Sequence, residues 1–469
     1  MEGSPAAKGH QEHLSHVVFI TAAAAIGGFL FGYDSAVING AVTGIERHFQ
    51  VGPVQIGAVV AAALLGSAAG AWFAGSLADR WGRIRTMQTA AVLFAVSSIG
   101  QALPFALWDL TVWRVLAGVA IGMASVIGPA YIAEVAPPAY RGRLGSFQQL
   151  AIVLGIAVSQ LVNYVFARLA GGDVNHEILG LQAWQWMLGA CLVPAVLYLI
   201  FASVIPESPR FLVAVGRREK AKKVLAEVEG DSADLDARIG EIEVVLKSEH
   251  RPRLRDLRGP SFGLLSIVWI GIALSVFQQF VGINVIFYYS ASLWQSVGIN
   301  QSDSLLISFS TSIINIVGTF IAIALVDRVG RKPLLLVGSA GMAVSLATAA
   351  WAFSAGVSDG DAVTLPALEG VVALVAAHVF VFFFALSWGV VVWVLLGEMF
   401  PNRIRAAALS VAAAAQWIAN WLITVSFPSL SAWNLSGAYV GYSGMAVLSF
   451  LFVWFFLRET KGKKLEEMG

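Results

Sequence analysis

Long apolar runs separated by short polar stretches dominate this chain. They lie at about 17–41, 54–78, 86–106, 110–135, 145–168, 184–205, 262–294, 303–326, 333–354, 367–399, 408–428 and 437–457. A helix of about 20 such residues crosses roughly 30 Å of hydrocarbon, so the pattern predicts twelve transmembrane helices. Between the sixth and seventh runs lies the one long polar segment, where charges alternate with Leu and Val at helical spacing, as in Arg217-Arg218-Glu219-Lys220 and Glu241-Ile242-Glu243. It reads as short amphipathic helices on a membrane face. The expected organisation is an N-terminal segment 1–16, a six-helix half 17–205, a helical linker 206–261, a second six-helix half 262–457 and a tail 458–469.

Composition agrees. The chain is 58% hydrophobic and only 13% charged, with a mean hydropathy of +0.75, far from the roughly 25% charge of soluble domains. Cys191 is the single cysteine, which excludes an intrachain disulfide and a cysteine metal cluster. A net charge of +1 carries no sign of a nucleic-acid partner. The first apolar run continues to full spanning length, so no cleavable signal peptide is expected. With loops assigned alternately, about 27 of the 30 Lys and Arg fall on one side, including Arg80, Arg141, Arg143, Lys332, Arg403 and Lys461. The positive-inside rule makes that side, and both termini, cytoplasmic.

Two copies of Asp-Arg-x-Gly-Arg mark the halves as duplicates. Asp79-Arg80-Trp81-Gly82-Arg83 and Asp327-Arg328-Val329-Gly330-Arg331 stand 248 residues apart, each closing an apolar run. Charge there belongs at the membrane surface, because Asp or Arg at mid-bilayer costs about 2.5–3.5 kcal/mol on insertion scales. Glu134 before Arg141-Gly-Arg143 recurs as Glu398 before Arg403-Ile-Arg405, and Pro206-Glu207-Ser-Pro-Arg210 has its counterpart in Arg458-Glu459-Thr-Lys-Gly462. A duplicated membrane protein of this kind places its substrate between the halves near the midplane and rocks to alternate access.

These pairs, with Gln278-Gln279-Phe-Val-Gly282-Ile-Asn284 followed by Tyr288-Tyr289, Trp388-Gly389…Trp393…Glu398-Met-Phe-Pro401, Gln416-Trp417…Asn420 and Phe31-Gly32-Tyr33-Asp34, resemble the sugar porter family of the major facilitator superfamily over nearly the whole chain. Among its members the sequence is most similar to bacterial proton-coupled pentose and hexose symporters. The resemblance implies an all-α membrane protein of the major facilitator fold in the bacterial plasma membrane. It implies a secondary active transporter rather than an enzyme, moving a monosaccharide such as D-xylose or D-glucose with a proton, and sufficient as a monomer in the bilayer. No cofactor or metal is expected. A passive facilitator of the same fold is the alternative; a sugar sensor is disfavoured by a tail of about a dozen residues.

Asp34 carries the coupling hypothesis. It lies about 17 residues into an outward-running span, and Arg114 enters the fourth span about one turn from the outside, at compatible depth. An intramembrane carboxylate is a functional group by default. Arg beside it favours the ionised form and separation invites a proton; a static pair tying two helices is the alternative. The xylose symporters it resembles place a second acid three residues before a proline in the sixth span. Counted from Pro194 that position is Cys191, so the resemblance does not extend to a second carboxylate.

Sugar hydroxyls call for side chains that both donate and accept without charge. Gln149, Gln278, Gln279, Asn284, Asn315 and Gln416 lie within the spans. Trp393 adds an indole donor and a flat face, and Phe31, Tyr289 and Trp417 are placed to close a cavity. Each amide alone also fits interhelical hydrogen bonding, and Asn420, which fits plain helix packing equally well, is left out of the set. A cytoplasmic gate is expected from Asp79, Arg80, Arg83, Glu134, Arg141, Arg143, Glu207, Asp327, Arg328, Arg331, Glu398, Arg403, Arg405 and Glu459, with topogenic charge as the alternative. Where sugar porters usually have proline before the tenth-span tryptophan, this chain has Gly389-Val-Val-Val-Trp393. His378 is read as a packed or pore-lining residue, and Gly66, Gly70, Gly118 and Gly122 as sites of close helix approach.

Overall fold

The computed structural model describes residues 5–137, 141–230, 234–248, 253–359, 362–401 and 404–461. In the first half α1 (Pro5–Phe49), α2 (Pro53–Trp81), α3 (Arg83–Ala102), α4 (Leu107–Val135) and α5 (Arg141–Leu169) are followed by a two-stranded hairpin, β1 (Glu177–Ile178) and β2 (Leu181–Gln182), then by α6 (Ala183–Gly189) and α7 (Leu192–Val204). The linker forms α8 (Pro209–Ala214), α9 (Arg218–Glu229), α10 (Leu235–Ser248) and a short 3-10 turn at Leu254–Leu257. The second half comprises α11 (Ser266–Phe280), α12 (Ile283–Ser296), α13 (Gln301–Val329) and α14 (Arg331–Ser354), a second hairpin of β3 (Val357–Asp359) and β4 (Ala362–Thr364), then α15 (Ala367–Leu386), α16 (Trp388–Met399) and α17 (Arg405–Phe456).

Among the described residues, ten helical stretches are long and apolar enough to cross a membrane. Two features bring the crossings to twelve. One of the ten, Ala407–Phe456, is bent into two at Asn434, whose backbone is extended (φ −161°, ψ 96°). The other is α3, whose 20 residues span about 30 Å but include Thr86, Gln88, Thr89, Ser97 and Ser98, which lower its hydropathy. Ser97 and Ser98 donate to the carbonyls of Leu93 and Phe94 one turn back, so these hydroxyls cost little in an apolar setting.

Three spans are interrupted. Gly282 separates α11 from α12 at φ +87°, a left-handed conformation that glycine adopts without the Cβ penalty. Ser387 (φ −130°, ψ −88°) separates α15 from α16. The tenth span therefore breaks without the proline that the family usually has, two residues before Gly389. The sixth span is divided between α6 and α7.

The chain packs as two compact units, one of Met1–Ser35, Leu65–Ser159 and Leu188–His250, the other of Ala36–Leu64, Gln160–Met187 and Arg251–Gly469. In the first unit, Leu30, Met87, Phe94, Tyr131 and Tyr198 form a buried core that Leu212, Leu225 and Ile239 of the linker helices join. Here α2 and α4 meet backbone to backbone: a Cβ on Gly66 or Gly70 would lie about 2 Å from the carbonyl oxygens of Val115 and Val119 (2.0 and 2.1 Å). In the second unit, α14 packs against α15 and α17, and α11 against α17.

Candidate functional site

In the first unit α1, α4 and α7 converge on Asp34, which is fully buried. Glycines allow this: a Cβ on Gly32 would stand 1.9 Å from the Ile152 carbonyl oxygen, and one on Gly155 2.2 Å from that of Phe29, so α1 and α5 touch through their backbones beside the acid. Asp34 Oδ2 faces Arg114 Nη1 at 3.7 Å, and Oδ1 accepts the Cys191 thiol at 3.8 Å. Both contacts are long against the roughly 2.7–2.9 Å of a tight charge-assisted hydrogen bond. The carboxylate is opposed by a cation but not clamped by one. Phe31, one turn before Asp34, packs on the apolar core of this unit. Gln149 is half-buried and makes no hydrogen bond among the described residues.

In the second unit the break at Gly282 sets the end of α11 beside the start of α12. Gln278 Nε2 donates to the Trp388 carbonyl at 2.8 Å, and Gln278 Oε1 accepts from Gln416 Nε2. Asn284 Nδ2 donates to Gln279 Oε1 and, at 2.8 Å, to Asn420 Oδ1. The structure thus joins Gln278 with Gln416 and Gln279 with Asn284, and adds Asn420, which also accepts from Thr424 Oγ1. From sequence Asn420 fits plain helix packing equally well and stands outside the expected set; its signal is the spacing Gln416…Asn420, one helical turn on the same face. The Tyr289 hydroxyl is engaged in donating to the Thr424 carbonyl at 2.7 Å. Asn315 is buried on α13, Trp417 is half-buried, and Trp393 on α16 is 46% exposed. Among the described residues, Asn315 and Trp393 are not hydrogen-bonded into the amide group.

At the linker end of the first unit, Arg83 holds Glu134 bidentately (Nε–Oε2 2.9 Å, Nη2–Oε1 2.7 Å) and reaches Asp79 at 3.3 Å. Glu207 accepts the Arg83 and Ile84 backbone N–H groups and so caps α3, while Ser208 donates to Glu134. The second unit repeats the plan. Arg331 holds Glu398 (3.1 and 2.6 Å) and Asp327 (3.0 Å), Glu459 caps α14 through the Arg331 and Lys332 N–H groups, and Thr460 donates to Glu398 at 2.8 Å. Arg80 and Arg328 are exposed, and Arg405 donates to the Phe400 carbonyl. Arg403 and the side chains of Arg141 and Arg143 lie outside the described residues. Burial pushes the Glu459 carboxyl up, but backbone N–H groups of Lys461, Lys332, Arg331 and Thr460 outweigh it and hold it below its ordinary value.

A third amide group, Asn39, Gln160 and Asn163, is buried at the far end of α1 and α5; the sequence reading passed over it. His378 is engaged on both ring nitrogens, with the Leu374 carbonyl and Ser310 Oγ.

The sequence profile described as "Sugar (and other) transporter" matches residues 20–469. A glucose transport protein of Synechocystis is 54% identical, covering 97% of each chain. The D-xylose-proton symporter of Escherichia coli is 36% identical over 98% of this chain and 96% of its own. Among solved structures, the xylose transporter XylE of E. coli in its inward-open conformation superposes with a TM-score of 0.82 at 35% identity, covering 96% of this chain and 99% of that one. The same protein, a major facilitator superfamily proton:xylose symporter, bound to 6-bromo-6-deoxy-D-glucose, gives 0.76 at 37% identity, covering 97% and 99%. The fold is that of the major facilitator superfamily, and these relatives are transporters, not enzymes.

Proposed function

This chain belongs to the sugar transporter family, and from that premise we propose that it is a proton:monosaccharide symporter of the D-glucose or D-xylose type, working by alternating access with Asp34 as the proton-coupling carboxylate. The observation that carries the reading is the buried Asp34 with a long 3.7 Å contact to Arg114. A carboxylate opposed by a cation but not clamped by short hydrogen bonds gives up that partner on taking a proton. Protonation cancels the attraction that ties α1 to α4 at this depth and frees α1 to move.

The sugar is read by Gln278, Gln279, Asn284 and Gln416, whose amides are gathered by the break at Gly282, together with Gln149, Asn315 and Trp393, which have hydrogen-bonding groups to spare. Phe31, Tyr289 and Trp417 complete the walls. The two linker-end networks keep the helix ends of each half together as the halves rock. The chain lies in the bacterial plasma membrane with both termini and the linker cytoplasmic, and functions as a monomer.

One observation favours uniport instead: the third group at Asp34 is the Cys191 thiol, a weak donor, and not a second carboxylate. Uptake of labelled glucose and xylose into proteoliposomes, with and without an inward proton gradient, separates the two. Symport predicts gradient-driven accumulation that Asp34→Asn abolishes while counterflow exchange persists. Uptake that only equilibrates, alike in both proteins, establishes the facilitator.

A further inference from the structure

Within the second unit, the far ends of α1 and α5 reach α12 and α13 through amides whose hydrogen-bonding capacity is nearly all used. Asn39 is buried. Its Nδ2 donates to Gln160 Oε1 and to Ser308 Oγ, each at 3.0 Å, and its Oδ1 accepts the backbone N–H of Ala291 at 2.9 Å. Gln160, also buried, donates through Nε2 to the Phe287 carbonyl at 3.3 Å and to the Ala36 carbonyl at 3.4 Å.

The two backbone groups addressed on α12 are not arbitrary. In an α-helix the N–H of residue 291 donates to the C=O of residue 287. The pair Asn39–Gln160, itself hydrogen-bonded, therefore grips both ends of one rung of α12. Because α12 begins at the left-handed Gly282 and carries Asn284 and Tyr289, whatever holds that rung also sets where those side chains lie.

We propose that Asn39 and Gln160 are positioning residues for α12, a clasp made only while the far ends of the two six-helix halves are together. The inference rests on the alternating-access reading, in which that end is extracellular and parts to admit sugar. When it parts, Asn39 loses Ser308 and Ala291, Gln160 loses Phe287, and water takes their place. Exchange of protein for water partners makes each bond worth only about threefold to tenfold in the equilibrium, so the clasp biases the transporter toward the outer-closed state without locking it. Asn163 supplies an internal control. It is buried in the same cluster, but its Nδ2 donates to the Val37 carbonyl and approaches Gln160, both on the first half.

The test compares wild type, Asn39→Ala, Gln160→Ala and Asn163→Ala in nanodiscs and in oriented vesicles. Hydrogen exchange read by mass spectrometry over α12 should accelerate about tenfold in the first two variants and remain near wild type in the third. Half-saturation should fall for glucose presented at the extracellular side and rise at the cytoplasmic side, moving their ratio about tenfold; Asn163→Ala should leave the ratio unchanged. Equal acceleration in all three variants, or lowered thermal stability with an unmoved ratio, would overturn the clasp and leave buried packing. The exchange measurement needs no sugar, so a chain that moves neither glucose nor xylose refutes the functional reading without touching this one. Failure of Asp34→Asn to uncouple likewise leaves the side-to-side ratio interpretable.

Discussion

Asp34 and Arg114 illustrate what single residues in hydrocarbon cost. Each is nearly inaccessible, with side-chain exposures of 1% and 3%, so removing one partner strands the other. Arg114→Ala is expected to destabilise the protein by about 3–5 kcal/mol, the usual penalty for an uncompensated buried charge. The double variant Asp34→Asn/Arg114→Ala should recover most of that loss, because no lone charge remains. Unfolding in detergent followed by tryptophan fluorescence measures both; a double variant no more stable than Arg114→Ala would show that the pair is not the source of the effect. Both residues were legible in the sequence, since charge inside an apolar run is conspicuous. Asn39, Gln160 and Asn163 were not singled out, because an amide in a span looks the same whether it faces sugar or a neighbouring backbone. Only the helix that it meets decides.

Spans were legible as elements, and their interruptions only in part. Hydropathy marks where a helix crosses, but a break depends on one or two backbone angles. The glycine of Gln278-Gln279-Phe-Val-Gly282 is the position with φ +87°, whereas the tenth span breaks at Ser387, a residue that no pattern in the sequence marks. At Gly282 an added Cβ would also lie 2.9 Å from the Tyr442 ring. Gly282→Ala is therefore expected to cost about 1–2 kcal/mol from the left-handed conformation alone. It should also raise KM for counterflow, since Gln279 and Asn284 are joined across the break; an unchanged KM with lowered stability would confine the glycine to folding. The start of α14 is governed by Glu459, whose carboxylate caps the Arg331 and Lys332 N–H groups. Its folded value lies below the ordinary 4.5, so the stability it contributes is fully present above pH 4.5 and is lost as pH falls through the folded value. Glu459→Gln should flatten the acid limb of a stability-against-pH curve; an acid limb identical to wild type would assign that limb to other carboxylates.

At the scale of the whole chain, duplication was the plainest signal in the sequence, and its partners were not. The sequence showed Arg83 and Arg331 at matching places, with Glu134 and Glu398, Glu207 and Glu459 nearby. It did not show which acid each arginine takes, because charges at helix ends can pair along a helix, across a half or between halves. In the structure each arginine binds the acids of its own half, bidentately to Glu134 or Glu398, and the cap by Glu207 or Glu459 sits on the same helix start. Two networks built alike, each joining described residues of its own unit, are expected to be energetically independent. They should also differ in strength, since the Glu134 side chain is 11% exposed and that of Glu398 is 29%. Glu134→Gln is thus expected to approach the roughly 3–5 kcal/mol of a broken buried pair, and Glu398→Gln to fall between that and the roughly 0–1 kcal/mol of a surface pair. If so, the double variant should sum the two losses to within about 0.5 kcal/mol, as sites that share no partner do. A coupling energy well above that would mean that the two networks meet in some state of the transport cycle, and would turn two separate braces into one gate.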